Sequence, residues 1–157
     1  MIFTTMADID QTDIAILRLL QKNAEMTNKE IAGLLHKSVA TIHERIRRLK
    51  EQGYIKRVAA ILDRKKINIG LVAFSQVLLN DHAARTLSNF EKEVIKFPEV
   101  MECYQMSGTF DFILRVATTD MDAYHIFYRK LAALPNITTV QSFFVLSETK
   151  SNTAYPL

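Results

Sequence analysis

Apolar residues recur at helical spacing through the first third of the chain and in short alternating or continuous runs through the remainder. In the first third, Ile14, Leu17 and Leu20 make one stripe that predicts a helix running to about Asn23. Asp10 is placed to cap its start, and Asp13 sits where a carboxylate favours the positive helix end. Ile9 and Ile14 flank the cap at hydrophobic-staple spacing. A second helix opens at Thr27: Thr27-Asn28-Lys29-Glu30 reads as a capping box, and Met26 and Ile31 are again staple-spaced. Ile31, Leu34 and Leu35 are expected to face inward, and small Ala32 and Gly33 let another helix approach closely. His36-Lys37 makes a short break. Ser38 then caps a third helix, with Ile42, Ile46 and Leu49 as its buried stripe and Gly53 as a left-handed stop.

Residues 54–63 are β-branched and partly alternating, which predicts an extended strand, followed by the basic turn Arg64-Lys65-Lys66. From Leu71 the pattern changes. Residues 71–79 read as an apolar strand, and 84–97 as a helix with Leu87, Phe90, Val94 and Phe97 at helical spacing and Pro98 as its stop. A strand over 100–107 and another over 110–117 flank a Gly108-Thr109 turn, with Phe112, Leu114 and Val116 sharing one face. Asp120 caps a helix carrying Tyr124, Phe127, Tyr128 and Leu131, Pro135 ends it, and 137–146 form a last strand.

The order βαββαβ is the ferredoxin-like unit, an antiparallel sheet with both helices on one face. The predicted class is therefore α+β: a winged helix-turn-helix (three helices plus a short strand) over residues 1–54, a strand linker over 55–70, and a ferredoxin-like domain over 71–157. The first strand is apolar on both sides, and Phe143, Phe144 and Val145 make the fourth similar. Strands buried on both faces need a second layer, and a chain this short has no spare element to supply it. A second copy of the chain, packed sheet on sheet as a homodimer, is the expected layer.

Composition narrows the class. Apolar residues make up 48% and charged residues 24%, an ordinary globular mix. The single Cys103 excludes an intrachain disulfide and a multi-cysteine zinc site, and reads as a small core residue. No apolar stretch approaches the ~20 residues that span a bilayer. Met1 to Ala7 carries no basic run of the kind that opens a signal peptide, so a cytoplasmic protein is expected.

Net charge is only +3, but residues 37–66 hold 10 Lys/Arg against 3 Asp/Glu, while 67–157 hold 7 against 9. A charge run is usually a solvated helix face. Here it falls on the last of two short helices joined by a tight turn, the unit that places its last helix in the DNA major groove. Stepping by about 3.6 residues per turn, the outward face carries Ala40, Glu44, Arg47, Arg48 and Glu51, flanked by Thr41 and His43. Double-stranded DNA is the expected partner. Ser38, Ala40, Thr41, His43, Glu44 and Arg47 are the groove candidates, Arg48 and Lys50 phosphate contacts, and Arg45 is expected to pack its stem by the buried stripe while reaching the backbone.

Four segments occur in order along essentially the whole chain. They are Ile9-Asp10-Gln11-Thr12-Asp13 ahead of the first stripe; residues 38–49, closed by Gly53-Tyr54-Ile55; Ser107-Gly108-Thr109-Phe110-Asp111-Phe112; and Leu134-Pro135 with Val145-Leu146. In that order they resemble the Lrp/AsnC (feast/famine) family of bacterial and archaeal transcription regulators. The resemblance implies dimers linked by the strand after the wing, often assembled into octamers, and an amino acid bound in the C-terminal domain between dimers. It implies no cofactor, metal or catalytic residue. By resemblance the effector cleft would be lined by Met106, Ser107, Gly108, Thr109, Asp111 and Ser142. Gly108 would let a backbone N–H approach a carboxylate, and Asp111 could pair with an α-ammonium. Turn glycines and aspartates are also commonly just turn residues. Two departures stand out. His36-Lys37-Ser38 replaces the family's Gly-Leu/Ile-Ser, and its paired Thr positions on the last strand are Val140 and Ser142.

Two rival readings stay open from sequence. Siroheme decarboxylases share this two-domain build, so an enzyme is one. Its candidate groups would be His36, His43, His82 and His125, with His125 expected to be partly buried packing. None has acid-base or metal spacing, and a decarboxylase has no need of a basic recognition helix. The other rival is an architectural DNA-binding protein without an effector, which Val140 favours.

Overall fold

The computed structural model describes residues 9–157, so the leader reading of Met1 to Ala7 lies outside the described residues. The chain forms two compact units: Met1–Ala60 with Lys150–Leu157, and Ile61–Thr149. The last eight residues group with the N-terminal unit in the fold. Arg18 Nε donates to the Leu157 carbonyl at 2.6 Å, and the Gln21 side chain accepts from the Tyr155 N–H at 2.7 Å.

Unit 1 holds α1 (Gln11–Lys22), α2 (Asn28–Leu35) and α3 (Val39–Glu51). Asp10 and Asp13 form a reciprocal capping box at α1, Thr27 and Glu30 do so at α2, and Ser38 caps α3 through the Thr41 N–H. The core is Ile16, Leu17, Ile31, Ala32, Ile42, Ile46 and Leu49. Two expected stripes are rotated. On α1 the inward line runs through Asp13, Ile16 and Leu17, and Ile14 is only partly buried. A carboxylate takes the interior slot because two arginines of α3 neutralise it there. On α2, Ala32 is buried and Leu34 is 58% exposed, so Ile31, Ala32 and Leu35 face the core. A Cβ on Gly33 would meet nothing within 4 Å, so that glycine serves no close approach. His36 caps α2 in the left-handed region at φ 52°, and Gly53 follows α3 at φ 80°.

The strand expected over 54–63 does not form. Residues 56–63 carry no regular structure, and Val58, Ile61 and Leu62 are exposed. A strand is defined by a partner, and this chain offers none to that segment. The basic turn does form, over residues 64–68.

Unit 2 holds β1 (Leu71–Leu79), α4 (Ala84–Val94), β2 (Val100–Gln105), β3 (Phe112–Thr118), α5 (Met121–Ala132) and β4 (Ile137–Phe144). The sheet order is β2-β3-β1-β4 with every neighbouring pair antiparallel. This is the expected βαββαβ topology, with α4, β2 and β4 ending earlier than their sequence spans. Alternation places Ala73, Val77, Phe112, Leu114 and Val116 toward Phe90, Val94, Phe127 and Leu131 of the helices. Phe90 and Phe112 stack with centroids 4.6 Å apart. A Cβ on Gly70 would lie 2.5 Å from the Thr119 carbonyl, so β1 starts where only glycine fits. On the other face Phe74 pairs in register with Arg115 and with Phe143, and both phenylalanines remain partly open to solvent. Among the described residues, no helix is long and apolar enough to cross a membrane.

Candidate nucleic-acid interface and effector cleft

The outer face of α3 carries exposed Ala40, Thr41, His43, Glu44, Arg47 and Lys50. They stand on a helix whose opposite stripe, Ile42, Ile46 and Leu49, is buried against α1 and α2. Ser38 sits at the start of this face, but its hydroxyl is engaged. It accepts the Thr41 N–H at 3.0 Å and lies 2.7 Å from the Thr41 hydroxyl.

The arginines differ more than their spacing suggests. Asp13, fully buried, holds two of them. Its Oδ1 lies 2.9 Å from Arg45 Nη1 and its Oδ2 2.6 Å from Arg48 Nη2. Arg45 also meets Asp10 at 2.7 Å. The backbone N–H of Asp13, then the Arg45 guanidinium, hold the Asp10 carboxyl below its ordinary range. Arg48, expected as a phosphate contact, is therefore first an internal counter-ion. Arg47 keeps its place on the outer face, but Glu44 takes two of its N–H groups and Glu51 a third. That pairing lowers the Glu44 pKa. Among the described residues, exposed Lys37, Lys50, Lys56 and Arg57 make no ion pair.

One contact was missed in the sequence. Asn28, read only as part of the capping box, reaches across from α2 to place its side-chain nitrogen 3.2 Å from His43 Nδ1. The partnership of Asp13 was missed too, although its spacing from Ile16, Leu17 and Leu20 (i+3, i+4, i+7) marks it as an inward position.

In unit 2, Met106, Ser107, Gly108 and Thr109 lie together in the exposed loop between β2 and β3, with Gly108 at φ 145°. The loop closes through the Met106 N–H to the Asp111 carbonyl at 2.7 Å. Asp111 is less free than an ammonium receptor would be. Its Oδ2 accepts the Leu79 N–H at 2.8 Å, and its Oδ1 lies 3.1 Å from His82 Nε2. It therefore fastens the end of β1 to the loop, and His82, read from sequence only as a candidate group of the enzyme alternative, joins the site. Ser142 faces the interior, where its hydroxyl bonds those of Tyr124 and Ser75. The geometry brings Met106, Ser107, Gly108, Thr109 and Asp111 together but commits Ser142 elsewhere.

His125, expected to be partly buried, is exposed on α5. Cys103 is half-buried, and desolvation followed by the nearby Glu91 charge pushes its thiol up to about 11, which keeps it protonated and unreactive at neutral pH. Among the described residues, no three His, Cys, Asp or Glu side chains are grouped to hold a metal ion.

Comparison with known proteins finds two family matches along the chain. Residues 9–56 match a winged helix-turn-helix DNA-binding family, and residues 72–155 match the Lrp/AsnC ligand binding domain. The chain is 36% identical over 148 residues to the HTH-type transcriptional regulator Zrp of Zymomonas mobilis, covering 94% of this chain and 97% of that one. It is 33% identical to the transcriptional regulator AzlB of Bacillus subtilis, over 95% and 96% of the two chains. Among solved structures, an AsnC family regulator from Agrobacterium tumefaciens superposes with a TM-score of 0.89 at 34% identity, covering 94% and 97%. A transcriptional regulator of Neisseria meningitidis, solved as a complex with L-Met, does so at 0.88 and 34%, covering 94% and 96%.

Proposed function

Because the chain belongs to the Lrp/AsnC family of transcription regulators, we propose that it inserts α3 into the DNA major groove under the control of an amino acid bound by unit 2. The observation that carries this reading is the pairing in one chain of a DNA-binding match over 9–56 with a ligand-binding match over 72–155. The enzyme alternative loses its ground, since the relatives are named as transcriptional regulators.

Base-edge contacts fall to Ala40, Thr41, His43, Glu44 and Arg47, which stand free of the core on one face. With Arg45 and Arg48 held by Asp13, phosphate contact falls mainly to Lys37, Lys50, Lys56 and Arg57. This reading calls for no cofactor. An amino acid is the natural effector: a relative was solved with L-Met, and the exposed Ser107-Gly108-Thr109 turn is the kind of backbone that receives a carboxylate. Two copies packed through the open sheet face would cover Phe74 and Phe143, and a dimer carries two copies of α3 for a pseudo-palindromic site. Octamers built from such dimers fit the same scheme. A cytoplasmic location belongs to the same reading.

The test is a gel shift on the DNA upstream of the protein's own gene at two salt concentrations, with and without L-Met and a pool of the other amino acids. Salt-sensitive binding altered by an amino acid supports the whole reading. Binding indifferent to all of them leaves an architectural role, and no binding at either salt overturns the assignment. In the same assay Arg47→Ala is expected to weaken binding roughly tenfold at fixed salt while the helical circular dichroism is retained. Unchanged affinity would remove Arg47 from the groove.

A further inference from the structure

The recognition face contains one polar side chain oriented by a neighbouring helix. His43 stands on α3 beside Ile42, and Asn28 stands at the first position of α2, three residues ahead of Ile31. Ile31 and Ile42 are both fully buried in the same core, so the two helices hold the two side chains at fixed spacing. The Asn28 side-chain nitrogen lies 3.2 Å from His43 Nδ1. An amide nitrogen can only donate, so Nδ1 must accept, and a neutral imidazole accepting at Nδ1 carries its proton on Nε2. The outward edge of His43 is then an N–H donor.

From this we infer that Asn28 is a positioning residue that makes His43 read hydrogen-bond acceptors on the DNA base edge. Its partners are the N7 and O6 atoms of guanine, the N7 of adenine or the O4 of thymine. Cytosine offers that edge only an N4 donor, so it is excluded from the position facing His43. The inference rests on the placement of α3 in the groove, and adds to it a tautomer and the class of base that the tautomer accepts. A wrong tautomer would not weaken phosphate contacts, so the effect is confined to one position in each half-site.

The test is selection from a pool of random-sequence duplex DNA in mildly alkaline buffer. Wild-type protein is compared with His43→Ala, Asn28→Ala and Asn28→Asp. His43 is exposed and Asn28 only partly buried at the start of α2, so the variants are expected to fold, which circular dichroism checks. Wild type is expected to discriminate against cytosine at one position by roughly five- to tenfold. His43→Ala and Asn28→Ala are expected to lose that preference and no other. Asn28→Asp puts an acceptor where the donor was, moves the ring proton to Nδ1, and is expected to admit cytosine at the same position. A helix-start role for Asn28 would weaken binding to all sequences alike, without this change. The inference is overturned if Asn28→Ala and Asn28→Asp keep the wild-type preference at the position that His43→Ala alters, or if His43→Ala alters none. Failure of the wild-type protein to enrich any sequence would instead sink the DNA-reading assignment itself, and this inference with it.

Discussion

The two units solve the same problem, a polar group inside a core, by opposite means. Unit 1 buries a charge. Asp13 has no solvent exposure and is satisfied by two guanidinium groups that belong to the recognition helix. Unit 2 buries neutral hydroxyls: Ser75, fully inside, meets the Tyr124 hydroxyl at 2.9 Å and that of Ser142 at 3.1 Å. A charge taken out of water must be matched or it is strongly destabilising, whereas a hydroxyl can lose one partner and keep another. The difference teaches that α3 is fastened electrostatically, through the same arginines whose spacing suggests DNA contact. The ligand-binding fold is held by packing and register.

The comparison breaks most sharply at Asp13. Asp13→Ala is expected to destabilise unit 1 by about 3 kcal/mol, near the low end for a broken buried pair because Arg45 and Arg48 can both reach water. Urea unfolding followed by circular dichroism measures it, and a cost below 1 kcal/mol would show the ion pair to be dispensable. Next comes Gly70→Ala in unit 2, where the new Cβ meets the Thr119 carbonyl at 2.5 Å and the backbone must move. About 2 kcal/mol is expected by the same measurement, since added bulk in a packed site typically costs 1–3. Ser75→Ala should cost only about 1 kcal/mol, since Tyr124 and Ser142 still bond each other. If Ser75→Ala proves as costly as Asp13→Ala, the contrast between the units fails.

The smallest effect is in acid. The Asp10 carboxyl is held below its ordinary value of 3.8 by the Asp13 N–H first and by Arg45 second. A carboxyl whose pKa is lower in the folded state stabilises above its unfolded value, and that stability drains away as pH falls through the folded one. Wild-type protein is thus expected to lose this contribution below pH ~4, whereas Asp10→Asn, titrated in parallel, should show a shallower acid transition. Identical transitions would show that Asp10 contributes nothing.

Element positions were largely legible in the chain. β1 starts and ends at the expected residues, and the caps at Asp10, Thr27, Ser38 and Asp120 all form. Which side of a short helix turns inward was less legible. On α2 the spacings 31-34-35 and 31-32-35 are both helical, and only packing chose Ala32 over Leu34. For the DNA face the sequence identified the exposed positions, but not that Asp13 occupies two of the arginines. In the effector loop it identified the turn, but not that Asp111 is tied to Leu79 and His82.

Caps, stripes and turns depend on residues a few positions apart, so the sequence by itself determined the helices, the four strands of the sheet, the βαββαβ order and the location of the basic helix, but not the fate of residues 54–63, which a missing partner decided. The pairings of Asp13 with Arg45 and Arg48, of Asn28 with His43, and of Ser75 with Tyr124 and Ser142 join residues 15 to 67 positions apart. Side-chain chemistry shows only that such groups can pair. Which of them meet was decided by the tertiary structure, because helix packing and strand register alone bring distant parts of the chain within hydrogen-bonding distance.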